Sequence, residues 1–71
     1  MKTLDLHGVK YEEVPRICHG FINTYWGQEL KIITGNSDEM KQIVISVIRQ
    51  YGLDFHTDNS LYCGSVRIYA D

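Results

Sequence analysis

The chain has one proline and two cysteines in 71 residues, only short apolar runs, and no surplus of basic side chains. Each shortage excludes something. Without about 20 consecutive apolar residues no transmembrane helix is expected. Without a basic stretch leading into an apolar one at the N-terminus, no secretory signal is expected, which places the chain in the cytoplasm. In that reducing compartment Cys18 and Cys63 are expected as thiols rather than as a disulfide. The histidines at 7, 19 and 56 stand at no ligand-like spacing from the cysteines, and neither CxxC nor HxxxH occurs, so a structural zinc site is not expected. A net charge of −2 argues against a protein that coats nucleic acid by bulk electrostatics, since such proteins carry a basic excess. Any contact with nucleic acid must then be local.

What remains is the composition of an ordinary folded domain. With 44% apolar and 23% charged residues, there is enough apolar surface to bury and too little net charge to hold the chain open. One domain over residues 1–71 fits this length, near the lower limit at which a core holds without disulfides or metal. From Leu4 to His7 the residues alternate, which reads as a strand with Leu4 and Leu6 on one side and Thr3, Asp5 and His7 on the other; Gly8 ends it. Val14, Ile17, Cys18, Phe21, Ile22 and Tyr25 follow the spacing of a helix from about Tyr11 to Trp26, with Pro15 in its first two turns and Gly27 as its stop. "LKIIT", Leu30 to Thr34, is a second strand closed by Gly35. In "NSDEMKQIVISVIRQYG" a helix places Met40, Ile43, Val44, Val47, Ile48 and Tyr51 on one face and Lys41, Gln42, Ser46 and Arg49 on the other. Asn36 and Glu39 have the side chains of a capping box, and Gly52 closes the helix. "LDFHT" and "SVRIYA" are two further strands around the turn "DNSLYCG".

The order is therefore β-α-β-α-β-β. Right-handed crossovers put both helices on one side of the sheet when strands are added outward in one direction, so the expected architecture is a two-layer α/β (α+β) sandwich with a mixed sheet. The leucines of the first strand then face the helices. Asp5 and His7 face outward, with His7 at the carboxyl edge of its strand. If the first two strands are neighbours, the turn Thr34-Gly35-Asn36-Ser37 comes up beside His7 with the first N–H groups of the second helix, and such edges are where open α/β sheets bind ligands. Spacing alone also fits a plain edge strand with a polar outer face, and "TGNS" lacks the glycine-rich and lysine features of a P-loop.

The run "LDLHG" at 4 to 8, "IITG" at 32 to 35 and Gly64 before the last strand, in this order of elements, resemble the signatures of the Smr domain, the small MutS-related module. The match covers nearly the whole chain. The resemblance implies a two-layer sandwich similar to the C-terminal domain of translation initiation factor three, nucleic-acid binding, and in some members endonuclease activity that nicks DNA or cleaves RNA, including messenger RNA at stalled ribosomes. By position, Asp5 and His7 take the place of the family's acid and histidine, and Thr34 and Gly35, followed by Asn36 and Ser37, the place of its second motif. That motif usually reads Thr-Gly-any-Gly with a basic or small residue between. Here Asn36 lies between, Ser37 stands at the second glycine, and Asp38 and Glu39 follow, which makes the loop bulkier and more acidic.

In that reading His7 is general base or acid, and Asp5 orients its ring or holds a divalent ion. Backbone N–H groups after Gly35 hold the charge of the phosphate, and Lys31 and Arg67 on outward strand positions contact the nucleic acid. With RNA the 2′-hydroxyl is the nucleophile; with DNA a water is, and a metal such as Mg2+ is called for. Asp5, Asp38 and Glu39 form an oxygen-rich group at that edge, although acids in a first helical turn also serve the helix dipole. Two other readings stand beside it. One is a nucleic-acid-binding module without turnover, using Asp5, His7, Lys31, Arg67 and Tyr69, with Tyr62 or Trp26 stacking on a base. The other is a protein adaptor, serving a larger protein or ribosomal complex, with no nucleic acid at all. The chain is expected to be a monomer. Cys18 on a buried helix face, His19 on the outer face and His56 in a late strand are assigned packing roles.

Overall fold

The computed structural model describes residues 1–59 and 64–70. Along the chain these form β1 (Lys2–Asp5), a 3-10 turn (Tyr11–Glu13), α1 (Val14–Thr24), β2 (Leu30–Ile33), α2 (Asp38–Gln50), β3 (Phe55–Asn59) and β4 (Gly64–Ile68). The strands make one sheet of order β1-β2-β4-β3. The β1/β2 pairing is parallel and the other two are antiparallel. This is the mixed-sheet α+β sandwich with two helices that the order of elements led one to expect. Among the described residues no helix is long and apolar enough to cross a membrane. Tyr62 and Cys63, together with the rest of the turn at 60–63, lie outside the described residues.

The helices begin later than their apolar spacing suggests, for local reasons. Pro15 stands in the first positions of α1, where its missing N–H costs nothing, and the residues before it close a separate 3-10 turn with Glu13 N–H donating to the Lys10 carbonyl at 2.9 Å. Trp26 falls beyond the helix, ahead of Gly27 at φ +83°. For α2 the capping box on Asn36 and Glu39 does not form. Gly35 turns the chain at φ +69°, so the extended residue from which the helix starts is Ser37, whose hydroxyl accepts the Met40 N–H at 3.2 Å. Such a cap is worth about 1 kcal/mol. β3 also shifts: Leu53 and Asp54 only connect, while Asp58 and Asn59 join the ladder opposite Ser65 and Gly64. The antiparallel partner overrides their weak strand preference.

One core lies between the layers. Val14, Cys18 and Ile22 from α1, Met40, Val44, Val47 and Ile48 from α2, and Leu6, Leu30, Ile32, Val66 and Ile68 from the sheet side are all buried. Each large side chain removed from water in this way contributes roughly 1.5–3 kcal/mol. The register explains who faces whom. Lys2, Leu30, Ile68 and Phe55 form one cross-strand row on the helix side and Leu4, Ile32, Val66 and Thr57 the next. Two helix residues depart from the expected faces. His19 is half-buried, its Nδ1 2.7 Å from the Tyr51 hydroxyl, which keeps it in a packing role. Lys41, expected on the solvent side of α2, is buried at 8% exposure, its long stem lying along the edge of the apolar stripe toward Gly64.

Candidate functional site

The parallel register places Asp5 opposite Ile33, and the Leu6 N–H donates to the Ile33 carbonyl at 3.0 Å. The tips of β1 and β2 therefore lie side by side, as the proposed pocket requires. Beyond the tip of β1, Val9 N–H returns to the Leu6 carbonyl at 3.0 Å, closing a tight turn in which Gly8 at φ +76° supplies the positive φ of the third position. His7 stands at the apex of this turn rather than in the strand. Its side chain is exposed and makes no hydrogen bond with the described residues. Asp5 does not orient that ring. Its Oδ1 accepts the His7 backbone N–H at 2.9 Å, so the carboxylate fixes the turn that carries the imidazole.

Across from it runs the bend Thr34-Gly35-Asn36-Ser37. Thr34 is buried, and its hydroxyl reaches the carbonyls of Gly35 at 3.2 Å and Gly64 at 3.4 Å. The Thr34 and Gly35 N–H groups both donate to the Gly64 carbonyl at 3.0 Å, which ties the bend to the start of β4 and removes the Gly35 amide as a phosphate donor. Among the donors left at this edge are the N–H groups of Asp38 and Glu39, which open α2 and have no acceptor among the described residues. Their own carboxylates are exposed at the same place and oppose an anion there. Among the described residues no group of three His, Cys, Asp or Glu side chains is placed to hold a metal ion, so Asp5, Asp38 and Glu39 do not converge.

Three residues join this edge that no local sequence pattern places there. Tyr11 spans from the 3-10 turn to Ser37, hydroxyl to hydroxyl at 2.7 Å, and links the loop after β1 to the loop after β2. Gly64 is so close to the bend that a β-carbon on it would overlap the Gly35 carbonyl and stand 2.8 Å from Lys41 Nζ. Lys41 thus brings a cation beneath the bend. Neither contact leaves a local trace, because the partners are 26 and 23 residues apart in the chain.

Lys31 and Arg67 do point outward, directly opposite one another in the β2/β4 ladder. His56 extends the same row on β3, opposite Arg67. Together with Asp58 and Ser65 these three line a hollow of about 170 Å³ in the open face. The late-strand position of His56 points to a packing role, yet the residue is exposed; the alternation of Phe55 and Thr57 inward against His56 and Asp58 outward is the signal for this. Tyr69 is 41% exposed past the end of β4. Trp26 stands at the opposite end of the molecule from His7, after α1, with its ring 5.6 Å from that of Tyr51, and has no part in this edge. No family model, no curated protein and no solved structure matches this chain.

Proposed function

We propose that this chain is an Smr-type domain that binds nucleic acid and cuts its phosphodiester backbone at the β1/β2 edge, with His7 as the proton-transfer residue. The observation that carries the reading is the adjacency of the two strand tips, which leaves the His7 imidazole exposed, without a partner among the described residues, beside the Gly35 bend. Imidazole is the side chain suited to exchanging a proton between pH 5 and 8. With RNA, His7 takes the proton of the 2′-hydroxyl, whose oxygen attacks phosphorus; the 5′-oxygen departs and takes up a proton, leaving a cyclic phosphate. With DNA, His7 takes the proton from a water instead. Asp5 has one carboxylate oxygen beyond the one held by the His7 amide, and that oxygen would be the residue's ligand to a magnesium ion. Such an ion supplies neutralisation of phosphate charge.

The His7 amide's bond to Asp5 also favours a second reading, a binding module without turnover, because among the described residues the imidazole then has no partner to set its tautomer. Labelled single-stranded and duplex RNA and DNA, incubated with the protein in magnesium or in chelator, separate the two. Cutting that is lost in His7→Ala and declines on acidification through the histidine range supports cleavage. Retention without cutting supports the binder, and no association with any of the four substrates at low salt defeats both.

A further inference from the structure

The hollow on the open sheet face is separate from the β1/β2 edge and has a chemistry of its own. Its row reads Lys31, Arg67, His56 across three neighbouring strands. Like charges directly opposite on an antiparallel pair repel and destabilise the sheet, so a Lys-Arg pair needs compensation. The protein supplies little. Lys31, His56 and Asp58 make no ion pair or hydrogen bond with the described residues, and Arg67 reaches Glu29 only at 3.9 Å, both side chains nearly half exposed. Exposed pairs of that length contribute next to nothing. Ser65 adds a neutral donor. It is only 4% exposed and its hydroxyl bonds to none of the described residues, yet no buried side-chain atom among them is left unsatisfied, so the hydroxyl opens into the hollow it lines.

We infer that this hollow is a phosphate-binding site, in which Lys31 and Arg67 hold a phosphate group from two sides and the Ser65 hydroxyl donates from the floor, with the His56 imidazole at its rim. The volume of about 170 Å³ is more than ten times the roughly 10–15 Å³ needed to seat one water, enough for a phosphate and part of its sugar. Arginine suits the flat face of two phosphate oxygens and lysine acts as a point charge. Asp58 lies beside His56 on the same strand and Arg67 opposite it on β4, and the helices lie on the other side of the sheet. Asp58 also sets a limit, since it admits a phosphate only on the Lys31–Arg67 side. Asp5 lies two strands over and two residues along from Arg67, about 12 Å at ordinary strand spacings. Under the proposed function, on which the identity of the attached chain rests, the hollow anchors a phosphate of the strand some nucleotides away from the one at His7.

The test is an amide and imidazole NMR titration of the full chain, first with inorganic phosphate and then with a short single-stranded RNA, at low ionic strength. Saturable shifts at Lys31, His56, Ser65 and Arg67 are expected with both, with affinity falling roughly tenfold on Lys31→Ala and again on Arg67→Ala. Each substitution should also lower the log–log salt slope for RNA by about 0.7. Both side chains are outside the core, and the unchanged dispersion of the remaining amides verifies folding. Saturation by phosphate alone upholds the pocket and defeats the nucleic-acid reading. RNA shifts confined to His7 and the Gly35 bend uphold that reading and overturn the pocket, as does the absence of any saturable phosphate shift.

Discussion

Gly64→Ala tests how the candidate edge is held together. The added β-carbon would overlap the Gly35 carbonyl oxygen and stand 2.7 Å from Lys41 Cε. The lysine head can swing away, but the carbonyl belongs to a bend fixed by two bonds, from Thr34 N–H and Gly35 N–H to the Gly64 carbonyl itself. Relief therefore requires β4 and the bend to separate. Losing two backbone hydrogen bonds costs about 1 kcal/mol each, and forcing a methyl into a filled site costs a further 1–3 kcal/mol or so, about 3–5 kcal/mol in all. A chain of this length has a total stability of about 4–10 kcal/mol, so Gly64→Ala should remove a large share of it and lower Tm by roughly 15–30 °C. Urea unfolding followed by the fluorescence of Trp26 and by circular dichroism measures the change. Gly20→Ala is the control: it lies in α1 with nothing within 4 Å of the added carbon and should stabilise by about 0.5–1 kcal/mol. A Gly64→Ala midpoint within about 0.5 kcal/mol of the parent would refute the packing argument.

Three further outcomes are expected. His7→Ala should leave the urea midpoint within about 0.5 kcal/mol of the parent, since the ring touches nothing it must satisfy, while any cutting disappears; a folded-state loss of 2 kcal/mol or so would show a structural role instead. Ser37→Ala removes both the cap on Met40 N–H and the bond to Tyr11 and should cost about 1–2 kcal/mol by urea titration, whereas Tyr11→Phe loses only the second and should cost about half as much. Burial pushes the Cys18 thiol up from 9.0 to about 11. In a Cys63→Ser background it should resist iodoacetamide at pH 8 until the chain is unfolded. Because the fold favours the neutral thiol, the stabilisation is complete below pH 9 and is lost as pH rises toward 11, by up to about 3 kcal/mol; a flat alkaline stability profile would contradict this.

Much of this architecture follows from periodicity. The three-and-four spacing of Val14, Cys18 and Ile22 and of Met40, Val44 and Val47 is realised as buried stripes, and strand alternation is what turns Lys31 and Arg67 outward. What escaped depends on pairs far apart in the chain. The burial of Lys41 requires a glycine at 64 to leave room for it, and the grouping of His56 with Lys31 exists only once β4 inserts between β2 and β3. The cap moved from Asn36 to Ser37 because a positive φ at Gly35 postpones the helix, a choice between two good capping residues that composition alone does not make. At the edge itself, adjacency of the two tips was legible from the β-α-β order; the attachment of Asp5 to an amide rather than to a ring was not, since it depends on the turn at Gly8.

β1 is the terminal strand of the sheet, with β2 as its single neighbour, and is four residues long. Leu6 just beyond it is fully buried, but Lys2, Thr3 and Asp5 are open to solvent. Such a margin peels before the interior yields. Amide protons of residues 3 to 6 should accordingly exchange faster than those of Ile32 or Val66, and moderate warming should silence whatever His7 does while both helices still give their full circular-dichroism signal.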